Sequence, residues 1–104
     1  MLKVKWTETA KSSFKEIIAY CILFFSEDTS RKVLQKYEKE IMLLATNPLI
    51  GKEELNISDK KHIYRSFPVN RRGRIIYYAD ETTLHIVDIG DMRMDKEFLE
   101  NRIR

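Results

Sequence analysis

One cysteine, three glycines, two prolines and one tryptophan in 104 residues leave this chain few special devices, and each scarcity excludes something. A lone thiol, Cys21, cannot close an intramolecular disulfide, and without a second cysteine there is no thiolate pair for a metal. Ile17, Ile18 and Phe25 flank Cys21 at helical spacing, which predicts a buried thiol in a reducing compartment rather than a nucleophile. The shortage of glycine and proline argues against disorder and low complexity. No apolar run approaches the roughly 18 residues that a membrane-spanning helix needs. The opening Met1-Leu2-Lys3-Val4-Lys5-Trp6 is too interrupted by lysine to act as a secretory signal. A cytoplasmic protein with no membrane partner, no metal and no cofactor is the expectation.

What the chain does contain is ordinary core material and much charge. Hydrophobic residues make up 43% and charged residues 34%, enough for one core and too few residues for two. Residues 1–104 therefore read as a single domain, without internal repeat or linker. The net charge of +3 leans toward polyanionic partners, but its distribution says more than its size.

Period-2 alternation of Leu2, Val4 and Trp6 with Lys3 and Lys5 predicts a strand over 2–6. Thr7 then serves as an N-cap, Glu8 complements the helix dipole, and Ala10, Phe14, Ile17, Ile18, Cys21 and Phe25 recur every 3.6 residues, predicting a helix over 7–26. Ser26-Glu27-Asp28-Thr29 breaks that pattern. Asp28 or Thr29 is expected to cap a second helix over 29–46, whose inner stripe is Val33, Tyr37, Ile41 and Leu44. Asn47-Pro48 stops it, because the residue before proline is pushed out of helical geometry. The charged, aperiodic stretch 52–61 reads as a surface loop.

Strands are expected over 62–69, 73–79 and 83–90, followed by a short helix capped by Asp95 and carrying Phe98 and Leu99. The architecture is thus α+β: an N-terminal strand, a helical hairpin, a three-stranded antiparallel meander and a short C-terminal helix. The first strand must join the meander, since alone it leaves its backbone groups unpaired. Phe14, Ile17, Ile18, Val33, Tyr37, Ile41, Ile75, Tyr77 and Ile86 are the expected core. In the third strand of the meander, Leu84, Ile86 and Asp88 alternate against His85, Val87 and Ile89.

The piece that stands out is His62 to Tyr78. Ile63, Arg65, Phe67 and Val69 alternate with Tyr64, Ser66 and Pro68, and Asn70-Arg71-Arg72-Gly73 supplies a turn in which Asn and Gly are expected to tolerate positive φ. Arg65, Arg71, Arg72 and Arg74 lie on this hairpin with no acid among them. They and Tyr64 are the candidate binding residues. His62 and His85 are the side chains with ordinary pKa nearest neutrality, and each reads first as structural, His85 mid-strand among aliphatics and His62 at a strand entrance.

With Trp6-Thr7 and Ala10 opening one helix, Asn47-Pro48 with Ile50-Gly51 closing the other, Tyr64-Arg65, Arg74-Ile75-Ile76-Tyr77-Tyr78 with Asp80, and Ile86 to Ile89 followed by Arg93 and Asp95, the chain resembles the RelE/ParE superfamily of bacterial toxins, also called plasmid stabilisation proteins. The resemblance spans nearly the whole chain. It implies a type II toxin held inactive by a cognate antitoxin; a homodimer stays open. One branch of the superfamily cuts mRNA on the ribosome and the other poisons DNA gyrase. If the chain is a nuclease, the resemblance assigns catalysis to Arg65, Arg74 and Arg93. Two positions depart from the nuclease pattern. Phe67 stands where those enzymes can place a lysine, and Phe98 lies near a catalytic tyrosine position; neither can move a proton. The expectation is therefore a ParE-like toxin binding gyrase, with a RelE-like ribosome-dependent endoribonuclease as the alternative and a non-toxic nucleic-acid-binding relative as the third reading.

Overall fold

A computed structural model describes residues 1–71 and 73–91. The elements run β1 (Lys3–Trp6), α1 (Glu8–Phe24), α2 (Glu27–Thr46), β2 (Lys52–Glu53), β3 (Arg65–Pro68), β4 (Gly73–Ala79) and β5 (Thr83–Asp91). The strands form one five-stranded sheet in the order β1-β5-β4-β3-β2. As expected, β3, β4 and β5 make an antiparallel meander, and β1 finds its partner in β5, running parallel to it with Val4 opposite Leu84 and Trp6 opposite Ile86. The expected C-terminal helix lies outside the described residues.

Thr7 does two jobs. Its hydroxyl accepts the Ala10 amide at 3.1 Å as an N-cap and donates to the Val87 carbonyl at 2.9 Å, so the start of α1 is fastened to the middle of β5. The second helix starts earlier than its sequence suggests. Ser26, not Asp28 or Thr29, is the N-cap: its hydroxyl accepts the Thr29 amide at 3.0 Å, which leaves Glu27 and Asp28 in the first turn, where the helix dipole favours acids. The 52–61 stretch also differs from a plain loop. Lys52 and Glu53 pair with Ser66 and Arg65 and form the outer edge of the sheet.

The helical hairpin covers one face of the sheet. Tyr37, Ile41 and Leu44 from α2 pack with Ala10, Ile75, Tyr77, Leu84, Ile86 and Ile89, all buried, while Trp6, Phe14, Ile17 and Val33 close the margin half-buried. Removing a side chain such as Leu44 or Ile86 from water is worth about 2 kcal/mol each. Of the expected core, Tyr37, Ile41, Ile75, Tyr77 and Ile86 are buried, whereas Phe14, Ile17, Ile18 and Val33 are half-buried. Phe25 departs further: it is 63% exposed, beside Leu23 at 78% and Phe24 at 66%, because the end of α1 outruns the core.

A bulge shifts the β4–β5 register. Ile76 pairs with Asp88, but Tyr77 pairs with Ile86, so Val87 is the extra residue. The simple alternation expected of β5 therefore fails at this point, and Ile89 joins Leu84 and Ile86 on the helix side while Val87 joins Ile76 and Ile57 in a smaller cluster. Asp88 is fully buried, and its Oδ1 accepts the Ser13 hydroxyl at 2.7 Å and the Ile89 amide at 2.8 Å.

The β3–β4 turn is closed by Asn70, whose Oδ1 accepts the Gly73 amide at 2.8 Å. Neither Asn nor Gly adopts positive φ there, contrary to expectation. Gly73 is required for space instead: a Cβ at this position would be driven into the Tyr37 hydroxyl.

Candidate functional site

Strand parity separates the two principal arginines. Arg65 pairs with Tyr77, and Phe67 with Ile75, so Arg65 belongs to the helix side; Arg74 alternates with Ile75 and belongs to the opposite face with Ile76. Arg65 Nη1 donates to the Gly51 carbonyl at 2.9 Å and the Leu49 carbonyl at 3.2 Å, and Nη2 reaches Glu53 Oε1 at 3.4 Å. Its side chain is only 17% exposed. Beside it, the Tyr77 hydroxyl donates to the Pro48 carbonyl at 2.7 Å and accepts the Gly51 amide at 3.0 Å. Burial pushes the Tyr77 phenol up, outweighing the Gly51 hydrogen bond and the Arg65 charge, which both pull it down. The phenol thus stays neutral at physiological pH, a donor and no base. Together Arg65 and Tyr77 clamp the Pro48–Gly51 backbone, leaving Leu49 and Ile50 turned to solvent.

On the other face, Arg74 Nη1 lies 3.6 Å from Glu54 Oε1, the same oxygen that receives the Ser66 hydroxyl at 2.6 Å. Glu54 and Ser66 are buried. Among the described residues the buried Nε of Arg74 has no hydrogen-bond partner. Arg71 is exposed at the turn. Arg72 and Arg93 lie outside the described residues, as does Phe98.

Further along the same face, His62 and His85 sandwich the ring of Tyr78, stacked at centroid distances of 4.0 and 4.4 Å, and Tyr64 meets Tyr78 edge-on at 5.5 Å. His85 Nε2 lies 2.9 Å from Asp80 Oδ2; an ionised carboxylate can only accept, so the ring nitrogen donates. That bond, followed by the Thr82 and Thr83 amides, holds the Asp80 carboxyl far below the usual carboxylate range. Burial, with a smaller push from Asp80, raises the Tyr78 phenol. Neither this three-ring stack nor Glu54 is among the features expected from the sequence. The Tyr78–His85 half of the stack was within reach by counting outward from the turn at Asp80, since pairing Ala79 with Leu84 sets Tyr78 against His85, whereas no strand register places His62. Nothing in the local pattern marks Glu54, because its partners are 12 and 20 residues away in Ser66 and Arg74.

A helical hairpin on a mixed sheet, with a basic β3–β4 hairpin whose Arg65 and Arg74 contact the preceding segment, defines a small α+β class, and comparison with known proteins names it. Residues 4–96 match the model of the ParE toxin of the type II toxin-antitoxin system, parDE. Among solved structures, the chromosomal ParDE toxin-antitoxin system from P. aeruginosa matches with a TM-score of 0.68 at 17% identity, covering 88% of this chain and 96% of that one. The YoeB dimer from Staphylococcus aureus matches with a TM-score of 0.57 at 19% identity, covering 86% and 94%. The E. coli DinJ-YafQ complex matches with a TM-score of 0.58 at 18% identity, covering 88% and 93%. No curated protein sequence matches. The chain belongs to the ParE toxin family of type II toxin-antitoxin systems, within the RelE/ParE superfamily.

Proposed function

We propose that this toxin acts in the ParE manner, arresting growth by binding a protein target such as DNA gyrase, and that it breaks no RNA bond. The observation that carries the reading is that Arg65, which a nuclease would present to phosphate, is hydrogen-bonded within the chain, while Arg74 lies largely buried beside Glu54. Arg65 is committed to two backbone carbonyls and Glu53, and Arg74 is paired with Glu54. A transition-state phosphorane needs cations whose donors are free to meet it and a base within hydrogen-bond reach of the attacking hydroxyl. Phe67, on β3 between Ser66 and Pro68, packs against the core and has no proton to exchange.

The partner that holds the toxin inactive is, on this reading, a cognate antitoxin that is acidic and amphipathic. Its carboxylates would meet the exposed basic turn at Arg71, where charge-assisted bonds are geometrically favoured. Primer extension on mRNA translated in the presence of purified toxin tests the absence of cleavage. No toxin-dependent stops are expected; stops in the decoding site that disappear in Arg74→Ala would overturn the proposal in favour of a ribosome-dependent endoribonuclease.

A further inference from the structure

The segment between β2 and β3 doubles back on itself. The Glu54 amide donates to the Tyr64 carbonyl at 2.8 Å, and the Tyr64 amide donates to the Ser58 hydroxyl at 2.9 Å, so the two ends meet. Such a loop is a compact Ω-type excursion, held by its own bonds as much as by the body beneath it. Two side chains fix it to the outer sheet face. Glu54 sits against Arg74 and Ser66, and Ile57, 2% exposed, fills a pocket made with Ile76 and Val87 and bordered by Tyr64 and Tyr78.

The chemistry of those two anchors is that of a ligand. A carboxylate is followed three residues later by an aliphatic side chain, the first placed on an arginine and a serine hydroxyl, the second in an apolar hole. Arg74 is incompletely satisfied by this arrangement: its contact to Glu54 is 3.6 Å, longer than a good charge-assisted bond, and its buried Nε has no partner among the described residues. Ser66 holds the carboxylate oxygen closely at 2.6 Å, so the acid is shared unequally between the serine and the arginine.

We infer that the outer face of the sheet is a docking surface for an acidic-x-x-aliphatic peptide segment of a partner protein, and that Glu54 and Ile57 occupy it in the free chain as a displaceable strap. The occupant is argued from the strap itself, which shows what the face accepts. Exchange replaces like with like. The strap holds the advantage of attachment, equivalent to an effective concentration of about millimolar for a short tether, which a partner overcomes by offering further contacts. The inference touches the gyrase reading at one point, since displacing the strap would free Arg74 from Glu54, but it leaves the engagement of Arg65 unchanged.

Two measurements test it. The first uses the unaltered protein: by hydrogen exchange, the amides of Ile57 and Tyr64 should exchange at least about a hundredfold faster than those of β4 and β5, showing that the strap opens while the sheet stays closed. Equal protection of strap and sheet would overturn the inference. The second uses a blocked peptide with the sequence Lys52–Asp59 as probe. Its affinity should rise at least about tenfold in Glu54→Gln/Ile57→Ser relative to wild type, and fall back when Arg74→Gln is added. An unchanged affinity in the strap variant, or one indifferent to Arg74, contradicts the inference. So does an oligonucleotide that competes for Arg74 where the peptide does not. Should the strap variant fail to fold, as judged by circular dichroism, the exchange measurement decides alone.

Discussion

Tyr77 and Gly51 are fitted to one another across the sheet edge: the tyrosine hydroxyl accepts the glycine amide at 3.0 Å, and a Cβ on that glycine would be pressed into the same oxygen. The hydroxyl also donates to Pro48, so one buried atom ends α2's exit loop and fixes where β2 begins. Gly51→Ala should therefore cost about 2 kcal/mol through overpacking, and Tyr77→Phe about the same through two stranded backbone groups. Because both act on one contact, the double variant should lose less than the sum, as measured by urea unfolding.

Ser13 and Asp88 join α1 to the bulge in β5. Ser13→Ala removes a donor from a fully buried carboxyl and should cost about 1 to 2 kcal/mol, visible as a lower midpoint with an unchanged denaturant slope. Ser12→Ala, one residue away and exposed, is the control and should be within about 0.5 kcal/mol of wild type.

Asp80 gives the pH dependence its sign. Its carboxyl is lowered in the folded protein, first by the His85 hydrogen bond and then by the Thr82 and Thr83 amides. A lowered acid contributes stability that is present above its unfolded pKa of about 3.9 and is lost as pH falls toward the folded value. Wild type should therefore exceed Asp80→Asn in melting temperature at pH 7, with the margin closing in the acid range below about pH 4. A margin that stayed constant with pH would show that the variant acts through the turn geometry alone.

The end of the helical hairpin offers a different kind of check. Leu23, Phe24 and Phe25 are largely exposed, so serine substitutions at Leu23 and Phe24 should leave folding within about 0.5 kcal/mol of wild type. Improved solubility is the expected gain, measured by light scattering at high concentration, because an exposed apolar cluster promotes association.

These residues also show what the sequence made visible. The Thr7 cap, the helical stripe through Tyr37 and Leu44 and the alternation in β3 and β4 are local, and local patterns suffice for them. The parallel pairing of β1 with β5 rests on contacts 80 residues apart in sequence, as between Lys3 and Thr83, and follows only from the need of an isolated strand for a partner. The turn pattern suggests that Gly73 serves for its backbone freedom, yet it is needed because the Tyr37 hydroxyl occupies the space of a side chain. The arginines were legible as a cluster, but not their engagement: Glu53 and Glu54 lie in a stretch with no periodicity, and only the sheet edge brings them to Arg65 and Arg74. Phe25 shows the converse error, since a helical period continues past the point where the core ends.

Whether the toxin acts on DNA gyrase is decided by a supercoiling assay with the purified enzyme. The toxin should inhibit supercoiling of relaxed plasmid at micromolar concentration, and added cognate antitoxin should restore it. Full gyrase activity at tens of micromolar of folded toxin would show that gyrase is not its target.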